Sequence, residues 1–238
     1  MRSKDDVRAE VWRAMEREGV ARFPGVQGRI PNFEGAKHAA EHLARHSAWT
    51  SAETLKVNPD SPQTHARRTA LAEGKLLVMA VPRLRDEHPF RLLDPRKLSE
   101  RQRRDAATIK GALRYGEAIE LDQVPGLDLV LAGSVAVNVE GARIGKGGGF
   151  SDLEYGLLRE TGKVDGRTVI ATTVHPIQIL HEDLLMTGHD LPVNLVATPR
   201  EVIEVKGAYE RPAGILWEHL EPPQIREIPV LERFAGAG

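Results

Sequence analysis

Two short apolar runs constrain the fold of this 238-residue chain more than any other feature of its sequence. Residues 76–81 read LLVMAV and are closed by Pro82, and residues 127–132 read LDLVLA. Runs of this length with little polar alternation are typical of strands in parallel sheets, because helices cover both faces of such sheets. We therefore predict that both runs are buried strands at the centre of the molecule.

Patterns typical of helices precede the first apolar run and also lie between the two runs. In the first of these patterns, Val7, Val11 and Met15 recur every four residues and mark one face of a helix. Strands that alternate with helices indicate an α/β fold with a mainly parallel sheet. We predict a single α/β domain over 1–205 and a partly irregular C-terminal arm over 206–238. The predicted helices are 4–18, 34–46, 62–73, 98–113 and 151–161, and the predicted strands are 54–57, 76–81, 127–139, 168–173 and 193–197.

Charge and composition exclude several classes of protein. The 33 lysines and arginines nearly balance the 34 aspartates and glutamates, so no charge excess indicates a nucleic-acid or membrane partner. There is no cysteine, which excludes disulfides, a thiolate nucleophile and cysteine-ligated zinc. Charged residues stand where a signal peptide needs an apolar stretch, and no run reaches the roughly 20 apolar residues of a membrane span. We predict a cytoplasmic protein; its oligomeric state stays open.

A glycine-rich loop carries the clearest functional signal. Residues 141–152 read GARIGKGGGFSD and lie between a predicted strand and a predicted helix. Glycines let backbone N–H groups converge on an anion, and the N-terminus of the following helix favours the same negative charge. Arg143 and Lys146 add positive charges, and Asp152 is placed to hold a metal ion that bridges phosphates. The loop therefore predicts phosphate binding.

Two common phosphate motifs do not match this loop. The P-loop requires serine or threonine after Gly-Lys, whereas Gly147 follows Lys146. A dinucleotide fingerprint that starts at Gly145 requires glycine where Phe150 stands. By spacing alone, a turn that joins a hairpin to a helix fits as well as a phosphate site, and Asp152 fits a helix cap.

The same residues resemble a known family. Residues 143–152, RIGKGGGFSD, are similar to the hallmark of the 5-formyltetrahydrofolate cyclo-ligases, also called methenyltetrahydrofolate synthetases, except at its two tyrosines. A divergent branch, the methenyltetrahydrofolate synthetase domain-containing proteins, is more similar still. It shares DLEY at 152–155, RIPNF at 29–33 and PRLR at 82–85.

The resemblance implies a fold and an activity. The implied fold is a three-layer α/β sandwich with a mainly parallel sheet, related to the sugar-phosphate isomerases and CoA transferases. The implied reaction closes 5-formyltetrahydrofolate to 5,10-methenyltetrahydrofolate with ATP and Mg²⁺, releasing ADP and phosphate. The implied partners are thus ATP and a folate-like or other small molecule.

The resemblance also implies roles for particular residues. Arg143 and Lys146 are implied to be catalytic, and Asp152 and Asp190 to be Mg²⁺ ligands. By themselves, Lys4 and Arg8 fit a solvated basic pair on one helix face, and Asp190 fits a turn before Pro192. The residues implied to contact ATP are Lys4, Arg8, Arg143, Gly145, Lys146, Gly147, Gly148, Gly149 and Phe150.

The departures from the family pattern fall more on the residues implied to bind folate than on those implied to bind the nucleotide. Phe150 and Ser151 replace the tyrosine pair, Leu153 replaces an arginine, and Asn194 replaces a late aspartate. Near 56–61 we find no counterpart of the early glutamate that faces the pterin ring. ATP binding is therefore the safer inference, and folate turnover the less secure one.

Three other functions stay open from the sequence. One is an ATP-dependent reaction on a different heterocycle or carboxylate, with the same nucleotide site. Another is a nucleotide-binding module without catalysis, near RNA, although no RNP signature supports it. The third is a zinc hydrolase, because four candidate ligands cluster in the sequence, although their spacing matches no ligand motif. These candidates are His181, Glu182, His189 and Asp190.

Overall fold

A computed structural model describes residues 1–205 and 207–235, in which eleven strands form two sheets. Eight strands form the central sheet, and β6, β7 and β9 form a small second sheet. The strands are β1 (Thr54–Val57), β2 (Leu76–Ala80), β3 (Phe90–Leu93), β4 (Glu117–Ile119), β5 (Leu129–Leu131), β6 (Ala136–Asn138), β7 (Arg143–Ile144), β8 (Val169–Thr173), β9 (Ile179–Leu180), β10 (Leu195–Ala197) and β11 (Val202–Glu204).

The central sheet is mainly parallel, as predicted. Its strand order is β11-β10-β8-β5-β1-β2-β3-β4. The five strands from β10 to β2 are parallel to one another, whereas β11, β3 and β4 pair antiparallel at the two ends. Parallel neighbours bring their carboxyl ends to one edge, and the loops that follow β1 and β5 therefore lie side by side there.

Helices cover both faces of this sheet and complete three layers. Alternate residues of β2 show the division: Leu77 belongs to an apolar cluster that includes residues of α2, α4, α5 and α6, and Val78 to a cluster that includes residues of α7 and α9. The α-helices are α1 (Lys4–Arg17), α2 (Ala36–Arg45), α3 (Ser47–Thr50), α4 (Thr64–Ala72), α5 (Glu100–Ala106), α6 (Ile109–Tyr115), α7 (Phe150–Glu160), α8 (Pro222–Glu227) and α9 (Pro229–Ala235).

A third apolar cluster joins helix α1 to the small sheet. The predicted stripe of Val7, Val11 and Met15 is buried there, against Val135 and Ile144 among others. This packing holds α1 beside strand β7, and β7 leads directly into the glycine loop. The N-terminal helix is thereby placed next to the candidate site.

Two predicted elements are wrong in their extent. The strand predicted over 127–139 is interrupted after Leu131, and its halves β5 and β6 belong to different sheets. Gly133 lies at the crossing, where a Cβ atom would stand 2.9 Å from Ile30. The helix predicted over 98–113 is two helices, because the Thr108 side chain accepts a hydrogen bond from Gly111 N and caps a new one.

The C-terminal part packs on the same core as the domain. Helices α8 and α9 follow a largely irregular stretch, and Ile228, Val230 and Leu231 are buried in the cluster that contains Leu157 of α7. The boundary at 205 stays a prediction, and residues 206 and 236–238 of the predicted arm lie outside the described residues. Within those residues, no helix combines the length and apolar character that crossing a bilayer requires.

Candidate functional site

The glycine loop adopts a conformation that depends on glycine. Gly147 and Gly149 have φ angles of +103° and +66°, in a region that side-chain-bearing residues rarely occupy. A Cβ atom on Gly149 would meet nothing within 4 Å, so backbone conformation rather than space requires glycine there. Gly149 is also the N-cap of α7 and offers no side-chain cap. The first N–H groups of α7 therefore remain available to an anion.

The loop opens into a large cavity of about 980 Å³. This volume lies near the upper end of the range for small-molecule sites. The lining includes Gly148, Gly149 and Phe150, together with residues from the loops that follow β1 and β2. Most lining residues fall within 24–30, 58–61, 82–85, 143–154 and 221–228.

Arg143 forms the buried centre of the loop's support. Its side chain is 1% exposed, and its guanidinium donates from Nε to Leu191 O and from Nη1 to Gly133 O, each at 3.0 Å. Nη2 bonds to the Asp152 carboxylate, which also accepts from Leu191 N at 2.9 Å. One guanidinium thus ties the β5–β6 crossing to the first turn of α7.

Lys146 lies at the cavity rim, in contact with the loop after β1. Its Nζ is 2.9 Å from Asp60 Oδ1, and its side chain is 44% exposed. The buried Arg67 holds that loop through hydrogen bonds to Asn58 O and to Asp60 O, the latter at 3.1 Å. Burial lowers the pKa of Arg67 to about 10. Lys146 is therefore a partly exposed charge beside a loop that a buried arginine holds in place.

Lys4 and Arg8, the two α1 residues implied to contact ATP, bond to residues in and near the glycine loop rather than lining the cavity. Arg8 Nε donates to Gly145 O at 2.7 Å, and a Cβ on Gly147 would lie 3.5 Å from the Arg8 guanidinium. Lys4 Nζ bonds to Asp190 Oδ1 at 2.6 Å. Neither residue is among those that line the cavity. Contact with phosphates stays a prediction for both.

The two predicted metal ligands come close together. Asp152 accepts from the backbone N–H of Leu191, the residue after Asp190. Asp152 uses Oδ1 for its bonds, so its Oδ2 receives no hydrogen bond from the described residues, and Asp152 lines the cavity. Carboxylate oxygen is the ligand type that Mg²⁺ prefers, and phosphates and waters usually complete its shell. Asp152 therefore fits the ion.

Asp190 is differently engaged. Burial raises its pKa, but hydrogen bonds from Lys4 and Thr187 outweigh burial, so the pKa lies below its usual range. Both carboxylate oxygens bond to Lys4. Metal binding by Asp190 would exchange Lys4 for the ion, and its role as a ligand stays a prediction.

Two of the candidate zinc ligands contact residues outside the candidate set. His189 Nδ1 lies 2.9 Å from His219 Nδ1, and Glu182 pairs with Arg2. In 1–205 and 207–235, no three histidine, aspartate or glutamate side chains are grouped as a metal site. The geometry thus adds no support for a zinc hydrolase.

Three polar side chains that line the cavity, Asn58, Ser151 and Glu154, are linked to the buried Lys56 beneath them. Lys56 of β1 donates to Asn58 Oδ1 and to Glu154 Oε2, and Asn58 Nδ2 lies 3.1 Å from Ser151 Oγ. Lys56 is 1% exposed and Glu154 is 4% exposed. Burial raises the pKa of Glu154, although the Lys56 ammonium opposes this effect.

Comparison with known proteins places this site in a family. The model of the 5-formyltetrahydrofolate cyclo-ligase family matches residues 1–199. The chain belongs to this family. The similarity inferred from the glycine loop is therefore confirmed.

Relatives of this cyclo-ligase family chain align with nearly its whole length. The methenyltetrahydrofolate synthase domain-containing protein of Bos taurus is 40% identical over 96% of this chain, and that of Mus musculus is 39% identical over 98%. The chain spans 61% and 63% of their lengths, so it corresponds to about three-fifths of each.

A solved structure supports the fold. The structure of Aquifex aeolicus 5,10-methenyltetrahydrofolate synthetase aligns over 91% of this chain and 99% of its own, with a TM-score of 0.54 and 18% identity. At that identity the likeness shows the α/β fold alone. The predicted fold class is confirmed.

The sequence did not predict the buried pair, Lys56 and Glu154, at the floor of the cavity. Of the predicted residues, Arg143, Lys146, Phe150, Asp152 and the glycines 145, 148 and 149 line one cavity, whereas Gly147 is not among its lining residues. Neither Lys56 nor Glu154 was predicted. One signal was available, because Lys56 stands inside the otherwise apolar Leu55-Lys56-Val57 of a central strand. A lysine there needs a buried partner.

The wall from the C-terminal part also lay beyond sequence reasoning. Glu221, Gln224 and Glu227 line the cavity, although the family match ends at 199. Arg83 and Arg85 also line the cavity. Arg83 and Leu84 both have positive φ angles, of 61° and 52°, which is uncommon for residues with side chains. The mouth of the cavity is therefore shaped by segments far apart in the sequence.

Proposed function

We propose that this chain is an ATP- and Mg²⁺-dependent 5-formyltetrahydrofolate cyclo-ligase. One observation carries the proposal: the glycine loop and the open N-terminus of α7 border the same cavity as polar side chains from α7 and from the loop after β1. A volume of about 980 Å³ leaves space for a nucleotide and a second ligand side by side.

The proposed reaction transfers the γ-phosphoryl group of ATP to the formyl oxygen of 5-formyltetrahydrofolate. The second folate nitrogen then attacks the activated formyl carbon, the bond from that carbon to the phosphorylated oxygen breaks, and phosphate leaves. The products are 5,10-methenyltetrahydrofolate, ADP and phosphate. Such chemistry requires mainly that the reactants are positioned and that phosphate charge is neutralised.

The chain's residues divide this work. The backbone N–H groups of Gly147, Gly148 and Gly149 would cradle the phosphates. Lys146 would leave Asp60 for a phosphate oxygen, at little cost because their ion pair is partly exposed. Arg143 is buried and bonded on three sides, so it would act mainly by holding Asp152 and the loop in place.

The residues present also fit Mg²⁺. Asp152 would hold the ion through Oδ2, directly or through water, and Asp190 would join if Lys4 moved to a phosphate. When bound, Mg²⁺ neutralises phosphate charge and orients the transferred group. Phe150 would form a wall on the substrate side, since its ring covers Gly148 at the cavity surface. The cytoplasmic location predicted from the sequence remains part of this proposal.

A second candidate is the same nucleotide site with a different small molecule. The residues that differ from the family pattern favour it, since Asn194 has a structural use here. Its Oδ1 accepts from Ile170 N at 2.9 Å and also bonds to Arg211. Asn194 therefore joins backbone segments and is not among the residues that line the cavity.

Thermal unfolding tests both candidates. Wild type and Asp152→Ala are compared with Mg²⁺-ATP, with 5-formyltetrahydrofolate and with both, and Asp183→Ala serves as an exposed control outside the cavity. A ligand that binds the native state raises the midpoint. We expect an ATP shift that Asp152→Ala weakens, a further shift with the folate, and formation of methenyl product in an absorbance assay.

Each outcome separates the alternatives. An ATP shift without a folate shift would move the search to other second substrates. The absence of both shifts would contradict the proposal and leave the glycine loop as a structural turn. If Mg²⁺-ATP raises the unfolding midpoint equally in wild type and Asp152→Ala, Asp152 is not a ligand of the metal ion.

A further inference from the structure

The floor of the cavity carries a carboxylate whose second oxygen is unused. Glu154 bonds to Lys56 through Oε2, and no residue in 1–205 or 207–235 donates to Oε1. Among buried side-chain atoms of those residues, only Arg2 Nε and Gln63 Oε1 lack a partner, so Glu154 Oε1 retains accessible surface. Because Glu154 lines the cavity, that surface faces the cavity.

A hydroxyl group lies on the same face of helix α7. Ser151 is three residues before Glu154, a spacing that places both side chains on one side of the helix. The Ser151 oxygen accepts from Asn58 Nδ2, so its own hydrogen remains available to a ligand. The floor therefore offers an acceptor and a donor side by side.

Stability alone does not account for this arrangement. Burying a lysine and a glutamate is costly, and an apolar pair of similar volume generally serves a fold as well. Lys56 nevertheless fixes one Glu154 oxygen and also Asn58, so the other oxygen is held in one position. A buried carboxylate that is held in one orientation, with one oxygen free for a ligand, is typical of a recognition site in a cavity.

We propose that Glu154 sets the specificity for the second substrate by accepting a hydrogen bond from an amino group on the ring, while Ser151 donates to the neighbouring ring acceptor. The substrate class is a nitrogen heterocycle with an N–H donor and an acceptor on one edge, such as the 2-amino-4-oxo edge of a pterin. This inference rests on the proposed function only in placing that heterocycle beside the nucleotide.

The test measures binding of bare rings by calorimetry, without any turnover. The full chain is titrated with pterin, with lumazine, which has a carbonyl in place of the amino group, and separately with Mg²⁺-ATP. We expect wild type to prefer pterin, and Glu154→Gln to weaken pterin about tenfold and lose the preference, since a hydrogen bond to a charged group contributes about one to two powers of ten in affinity. Mg²⁺-ATP affinity should not change.

Two further variants keep the test decisive. Glu160→Gln makes the same change on α7 at a residue outside the cavity lining, and it should leave pterin binding unaltered. Lys56→Met/Glu154→Leu removes the whole pair without stranding a charge; it should melt near wild type yet bind pterin about a hundredfold more weakly.

Pterin affinity that is the same in Glu154→Gln and wild type, or that survives in the double variant, would overturn the inference. Lack of pterin binding by wild type would overturn it as well. If pterin binds through Glu154 but no methenyl product forms, the inference stands and the proposed reaction fails.

Discussion

The charges at the glycine loop and the charges at the cavity floor are paired in different ways. At the rim, Lys146 is 44% exposed and its partner Asp60 is 14% exposed. At the floor, the side chains of Lys56 and Glu154 are 1% and 6% exposed. A ligand can replace a rim partner at small cost, whereas a floor partner is part of the fold. The rim is therefore suited to exchanging a charged ligand, and the floor to recognising a fixed shape.

The largest effect should come from splitting the buried pair. Lys56→Met strands the Glu154 carboxylate and should lower the free energy of unfolding by about 3–5 kcal/mol, measured by urea denaturation. Lys97→Met is the matched control, because the Lys97–Glu117 pair is exposed and should contribute less than about 1 kcal/mol. If Lys56→Met lowers the free energy of unfolding by less than about 1 kcal/mol, the buried Lys56–Glu154 pair contributes no more than an exposed ion pair.

A smaller loss is expected at Arg143, which connects the two regions. A lysine cannot donate to Leu191 O, Gly133 O and Asp152 at once, so Arg143→Lys should cost about 2 kcal/mol and weaken Mg²⁺-ATP binding. Urea denaturation and an ATP titration measure the two effects. Arg167→Lys, on a 93% exposed side chain, should be neutral; equal behaviour of the two variants would contradict the role assigned to Arg143.

The ion pair between Lys4 and Asp190 should contribute less to stability as the pH falls. The Asp190 pKa is lowered in the native state, so its charged form adds stability that is present above the unfolded pKa and is lost as pH falls through the native pKa. Wild type should exceed Asp190→Asn in stability at about pH 6, and the difference should shrink progressively as the pH falls below about 4, the usual aspartate pKa. A difference that persists unchanged at low pH would show that Asp190 acts through packing alone.

The smallest effect on stability belongs to the rim. Lys146→Met should change the free energy of unfolding by less than about 1 kcal/mol, because its ion pair with Asp60 is partly exposed. It should nevertheless raise the Kd for Mg²⁺-ATP about tenfold by removing a charge from the phosphates. An unaltered Kd would place the nucleotide away from Lys146.

The sequence predicted the parts of the fold that short patterns encode. Strand β1 matches the predicted range 54–57, and α7 covers Phe150–Glu160 where a helix over 151–161 was expected. Apolar runs and periodicity act over a few residues, so they are readable without the rest of the chain. The interruption after Leu131 was not readable in this way, because it reflects the pairing of β5 and β6 with strands of two different sheets.

The sequence by itself determined the α/β class, the glycine loop and its neighbours Arg143, Lys146 and Asp152, since these follow one another along the chain. Only the tertiary structure decided that Lys56 meets Glu154, 98 residues away, and that helix α8 walls the cavity. Side chains so far apart meet because strand order places β1 beside the start of α7, and strand order depends on long-range packing. Chemistry carried by consecutive residues is thus visible in the sequence, whereas chemistry assembled across the sheet is not.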